Sequence, residues 1–356
     1  MKTVLYPAIA LMNRLSFGMK FSLISVLFFL PMLVTNFYLV RDSYRQFIST
    51  QAALESIDLL GESLTLRRNL EDFVDLIEIN AMIGQSGQAG DLETRLSKLQ
   101  QDISSELQGL AAVVRETEQI EEFNSKRDEL IAELAAVQSE TSLHGKIALA
   151  EKLLGSSQVF IKLVASQAGL SQDREGAVRQ MVELITVETP KVTAALSEGR
   201  AIGSYSLAQG FLNSSASTAF DELLLELEKL HAEYGLNLQA SLNSSAQARS
   251  SLATPAASSL ETLKTIAVVF EDQVVVADSL DTPWAQFYND VSAAMEQTYQ
   301  LNSAVLVFLD KQLEQRLEEN RVQMVLLAVA LVVVFLLIVY LYSGFYVSIR
   351  KKKKKL

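Results

Sequence analysis

The chain of 356 residues carries 42 Asp and Glu against 31 Lys and Arg, a formal net charge of −11, and no cysteine. Without thiols it can form neither disulfides nor thiolate metal sites, and an acidic balance of this size disfavours nucleic acid as a partner. The two histidines, His144 and His231, lie far apart and outside any metal-binding spacing, so no metal is expected and both read as solvated surface residues.

Residues 1–20 form a basic arm with Lys2, Arg14 and Lys20. Residues 21–40 (FSLISVLFFLPMLVTNFYLV) follow without a charge. At about 1.5 Å per residue such a run crosses a hydrocarbon core of about 30 Å, and Pro31 within it is tolerated by a membrane helix. The run is longer than a signal-peptide core and no small-residue cleavage site follows, so an uncleaved anchor is expected rather than a removed signal. Residues 324–342 (MVLLAVALVVVFLLIVYLY) are a second uncharged run, inside a predicted span of 322–347, and the chain closes on a basic stub, 348–356, with Arg350 followed by five lysines. Positive charge outside both runs places both ends in the cytoplasm. Residues 41–321 then stand on the far side, a bacterial periplasm, as a two-pass inner-membrane protein's ectodomain. All 42 acids fall in that segment, against 22 of the Lys and Arg.

The ectodomain is rich in helix formers, and its apolar residues recur at helical spacing, as in Leu66, Leu70, Phe73 and Ile77 or Val192, Leu196, Gly199, Gly203, Ser206 and Gly210. No sustained period-two segment occurs, so the expected fold is all-α: two transmembrane helices flanking a long helical bundle, arranged as two stacked four-helix bundles. Turn signals at 84–91, 139–145, 168–173, 212–218, 243–255 and 277–283 cut it into seven pieces. Thr254 before Pro255 and Thr282 before Pro283 read as helix starts. A chain that leaves and re-enters one membrane makes an even number of passes. One break, 168–173 or 277–283, is therefore expected to be a kink.

No GxSxG, P-loop or GxGxxG motif occurs, and the carboxylate runs read as solvated helix faces, so an enzyme and a bound cofactor are not expected. Two stretches stand out as candidate ligand sites. In EGRAIGSYSLAQG, 198–210, Gly199 and Gly203 each cost a helix about 1 kcal/mol relative to Ala. Close helix approach or a cavity would offset this; in the second case Arg200, Ser204 and Tyr205 become ligand-binding groups, the arginine fork suiting a carboxylate. In LTLRRNLEDF, 64–73, Arg67 interrupts an apolar row, either as a fourth ligand-binding residue or as an arginine laying its stem along the bundle edge. Trp284, Phe287 and Tyr288 read as aromatic packing at a bundle end.

The basic arm MNRLSFGMKF at 12–21, the EGRAIGSYSLAQG helix and YLYSGFYVSIR at 340–350 resemble bacterial transmembrane methyl-accepting chemotaxis receptors with a helical bimodular ectodomain. The resemblance implies a homodimer in a lipid bilayer. It also implies a small ligand such as an organic acid, or a periplasmic binding protein, held at the ectodomain, and signalling by displacement of the second span. In that family a HAMP linker and a cytoplasmic signalling hairpin follow. Their place here is taken by lysines, so a product truncated at the start of HAMP is expected, with a natural stop-transfer anchor as the alternative. The sensor domain of a histidine kinase or diguanylate cyclase, or a structural two-span scaffold, would share the same layout.

Overall fold

The structure, a computed structural model, describes residues 14–84, 90–114 and 116–353. They fall into two compact units, Met1–Gln51 with Gln315–Leu356 and Ala52–Glu314. Among the described residues the fold is all-α, without strands.

The first unit takes most of helix α1 (Phe17–Glu55, with Pro31 inside) and the carboxy-terminal part of the last helix, α10 (Trp284–Lys353). Both helices are long and apolar enough to cross a membrane. Their large apolar side chains stand uncovered by protein, Leu27 at 66 %, Phe37 at 65 % and Leu341 at 67 % exposure. Ser22 and Tyr342 share a hydrogen bond of 3.1 Å between their hydroxyls, and Asn320 donates to Thr50 Oγ1 at 3.3 Å.

The second unit is built from α2 (Ile57–Ile83), α3 (Leu92–Gly109), α4 (Thr117–Ser139), α5 (Leu143–Gln167), α6 (Gly176–Glu183), α7 (Thr189–Gln209), α8 (Ser214–Asn243), α9 (Ala246–Phe270) and the first part of α10. Only Ser56 separates α1 from α2. Its hydroxyl bonds Ala52 O at 2.8 Å, and its backbone N–H is shared between Ala52 O and Ala53 O. Successive helices reverse: Glu106 pairs with Asn69, Arg127 reaches back to Leu110 O, Lys152 pairs with Glu133, and Thr262 lies beside Ala294.

Five of the six sequence-predicted breaks lie on described residues, and within 84–91 only Gly84, Gly90 and Asp91 do. A seventh break, at 110–116, is not marked by a turn residue. There Leu110 is extended (φ −64°, ψ 125°) and buried, and its carbonyl accepts from Arg127 Nη1 at 3.1 Å. With it the described helices of this unit make eight passes, and neither 168–173 nor 277–283 is a kink: Gln158 reaches Thr186 O across the first, and Thr262 lies beside Ala294 across the second. The first turns the chain through Gly169 at φ 73°, a left-handed conformation that glycine adopts without a Cβ clash.

Thr254 does not open a helix: α9 begins after Ser245, whose hydroxyl accepts from Ala248 N at 3.0 Å, and Pro255 sits inside it. Pro283, by contrast, does immediately precede α10. Between α6 and α7 the chain makes a π-turn, Leu184–Glu188, just before Pro190. Proline has no N–H to give the preceding turn, and the Thr186 carbonyl takes the Gln158 side-chain amide instead.

Candidate functional site

The glycines of the 198–210 stretch are filled, not hollow. A Cβ on Gly199 would lie 2.1 Å from Phe270 Cε2, and one on Gly203 would lie 2.5 Å from Phe287 Cε1. Phe220, Phe270 and Phe287 stack in series, at 5.6 and 6.0 Å between centroids. The helix thus gives up Cβ atoms so that two rings can meet its backbone, and close approach replaces the alternative of a cavity there.

On another face of α7 lies a buried ionic joint shared by α2, α7 and α10. Arg200, 1 % exposed, donates from Nε to Asp75 Oδ2 at 2.7 Å and from Nη1 to Ser292 Oγ at 2.7 Å. Its Nη2 lies 2.7 Å from both Asp72 and Asp75 carboxylate oxygens, and its guanidinium covers the Tyr288 ring at 4.5 Å. Ser197 donates to the other Asp75 oxygen at 2.7 Å. One turn away, Glu71 accepts from Thr193 at 2.7 Å and from Tyr299 at 2.8 Å and pairs with Arg67 at 3.0 Å. At the rim Arg68 pairs with Glu296 at 2.6 Å and lies over Tyr299.

The register follows from sequence spacing. Glu71 and Asp75 are four apart, as are Thr193 and Ser197, so a parallel pair of helices matches both carboxylates with both hydroxyls at once. Tyr288, Ser292 and Tyr299 of the antiparallel α10 close the third side.

Burial is the largest influence on the acids. It pushes Asp75 up to about 7, against the pull of Arg200 and the Ser197 hydrogen bond. Glu78, crowded by Asp75, Glu151 and Glu198 as well as buried, is also pushed up to about 7. Glu71 is raised by burial, with Arg67 opposing. Arg200 is raised despite its burial, because Asp75, Tyr288 and Asp72 surround it.

Of the four sequence-predicted ligand residues, Arg67 and Arg200 therefore belong to one joint, with their charged ends committed to protein carboxylates. Arg67 is 7 % exposed, an internal ion-pair partner and not a stem laid along an edge. Ser204 turns its hydroxyl back to Arg200 O at 2.6 Å. Tyr205 is buried and has its phenol pushed up to about 12 by burial and by Glu78 and Glu198. Sequence reasoning missed the acids: Glu71 and Asp75 in an apolar stripe, four residues apart and four after Arg67, were the available signal.

A separate pocket of about 290 Å³ lies among α2, α3, α4 and α5. Phe73, Ile77, Leu96, Val137 and Leu143 supply apolar wall, with Asn80, Gln100, Gln138, Glu93 and Lys146 as polar groups around it. Asn80 Oδ1 is buried without a hydrogen-bond partner. Comparison of the chain with protein-family models, curated proteins and solved structures finds no match.

Proposed function

We propose that this chain is a membrane-anchored ligand sensor of the chemoreceptor type. In this reading residues 41–321 are a periplasmic domain of two stacked four-helix bundles, the uncovered apolar faces of α1 and α10 meet lipid, and the protein works as a homodimer. The observation that carries the reading is the joint: α10, the helix bearing Ser292 and Tyr288, is the same helix that bears the second apolar run. A change in the grip of α2 and α7 on α10 is passed along a single continuous element. Work of this kind comes only from a ligand's unequal affinity for two arrangements.

The ligand seat in this reading is the pocket among α2–α5. An apolar wall with the Lys146 ammonium and the amides of Asn80, Gln100 and Gln138 suits a small organic acid with a hydrocarbon body, its carboxylate seated at Lys146 and turned away from Glu93. The test is a thermal-shift and calorimetric titration of the full chain in lipid nanodiscs against short mono- and dicarboxylates. A ligand at about a hundred times its Kd adds about 2.7 kcal/mol, and Lys146→Ala should abolish that gain. A panel without a binder, on a folded protein, would remove the reading.

A further inference from the structure

The pocket among α2–α5 is lined by one charge of each sign that the protein does not itself neutralise. Lys146 stands in the first turn of α5 and Glu93 in the first turn of α3, and neither is ion-paired among the described residues. Glu140, just before α5, is bonded to the Ser142 N–H at 2.7 Å instead. α2 packs on α3 and α5, and α4 packs on the same two helices, so α3 and α5 stand at opposite corners of a four-helix square. Both charges therefore reach the pocket at one end of that square, from opposite sides. With neighbouring axes about 8–10 Å apart the diagonal is about 11–14 Å, a gap that a lysine, a glutamate and a ligand with two adjacent charges fill in line.

A carboxylate seated at Lys146 leaves the opposite side unmatched. Glu93 then faces no cation, and Asn80 Oδ1, in the last turn of α2, stays buried without a donor. Asn80 and Glu93 flank the same reversal, between α2 and α3, so both unmet acceptors belong to one corner. A carboxylate has no proton to give either of them, whereas an ammonium has three, and a buried acceptor left without a donor is costly. We propose that the ligand of this pocket is an apolar α-amino acid, its carboxylate on Lys146 and its ammonium between Glu93 and Asn80 Oδ1. The buried side chains of Phe73, Ile77 and Val137, with Leu96 beside them, take its hydrocarbon side chain. An acid of the same skeleton without the ammonium fills only the Lys146 corner. This inference rests on the reading of the pocket as the ligand seat, and narrows it from organic acids in general to those carrying both charges.

Matched pairs test it: leucine against 4-methylpentanoate and phenylalanine against 3-phenylpropanoate, titrated calorimetrically into the full chain in nanodiscs at about pH 7, where all the groups concerned are charged. Within each pair only the ammonium differs. The better-bound amino acid should exceed its acid by about ten-fold or more, the factor of one charge-assisted hydrogen bond. Glu93→Gln, at an exposed position, keeps the side chain's size and should erase most of that preference. It should leave the acids' affinity unchanged or higher, because a like charge is gone, and their binding reports that the variant is folded. Lys146→Met should weaken both members of each pair. Acids that bind as well as or better than their amino acids overturn this proposal and leave the organic-acid reading standing. A preference that Glu93→Gln leaves intact overturns it in the same way. Binding by neither member of either pair overturns both readings.

Discussion

Gly199→Ala should destabilise the protein even though it improves helix propensity. The new methyl would stand 2.1 Å and 2.4 Å from Phe270 Cε2 and Cζ and 2.8 Å from Leu223 Cδ2. Carbon contacts are comfortable only near 3.5 Å or more, so the ring must retreat by more than about 1 Å. It has little room to do so, being fully buried between Phe220 and Phe287. Overpacking of this kind costs about 1–3 kcal/mol, against a propensity gain of about 1 kcal/mol for replacing a mid-helix glycine. With an overlap this deep the cost lies in the upper half of that range, so the net is a loss of about 1–2 kcal/mol, or a melting point lower by about 2–8 °C in a domain of this size. Gly155→Ala in α5 is the internal control, because nothing lies within 4 Å of its added Cβ. It should raise the melting point by about 2–4 °C through propensity alone. Thermal unfolding of both variants of the full chain, followed by helical circular dichroism, measures the pair. If both raise the melting point, the rings do not press on the Gly199 backbone and the packing explanation is wrong.

Arg200→Met should cost about 3–5 kcal/mol, the usual penalty for leaving a buried acid without its cation, and Asp75→Leu added to it should restore much of the loss in the same unfolding assay. Stability should fall as pH rises from the ordinary carboxylate range, about 4, to about 7. Over that interval the folded chain keeps protons on Asp75 and Glu78 that the unfolded chain has released. Melting curves of Asp75→Asn with Glu78→Gln should be flatter across this window than those of the parent. Gln158→Ala should cost about 1–3 kcal/mol by leaving the Thr186 carbonyl unpaired beside Pro190, and Pro190→Ala, which returns an N–H, should lessen that loss in the double variant.

Helical periodicity was enough to give the all-α class and most of the breaks, because Gly, Ser, Asn and Pro clusters mark reversals by their own backbone chemistry. The reversal at 110–116 escaped because it is held by tertiary contacts, the burial of Leu110 and the Arg127 bond to its carbonyl, and not by local turn chemistry. Pro255 misled for the opposite reason: Ser245 caps α9 well upstream of it, so the proline falls inside the helix. Arg67 was visible as an arginine in an apolar row and Arg200 as one beside the glycine stripe, yet their partners were not. Which carboxylate meets which arginine depends on the parallel register of α2 and α7, 122 residues apart in the chain, and no spacing within one helix encodes that. The Gly199 and Gly203 stripe allowed either a cavity or close approach until Phe270 and Phe287, one from each of two other helices, were placed against it.

The account rests most heavily on α1 and α10 both crossing one bilayer, with the domain between them on the opposite side from the two ends. Single cysteines at Arg14, before the first apolar run, at the exposed Ser250, and at Lys351 in the basic stub, tested with a membrane-impermeant maleimide on intact cells, decide this directly. Labelling is expected at Ser250→Cys alone, with Arg14→Cys and Lys351→Cys reacting only after the membrane is opened. Labelling of Ser250→Cys together with either end, or of none of the three until lysis, would contradict it.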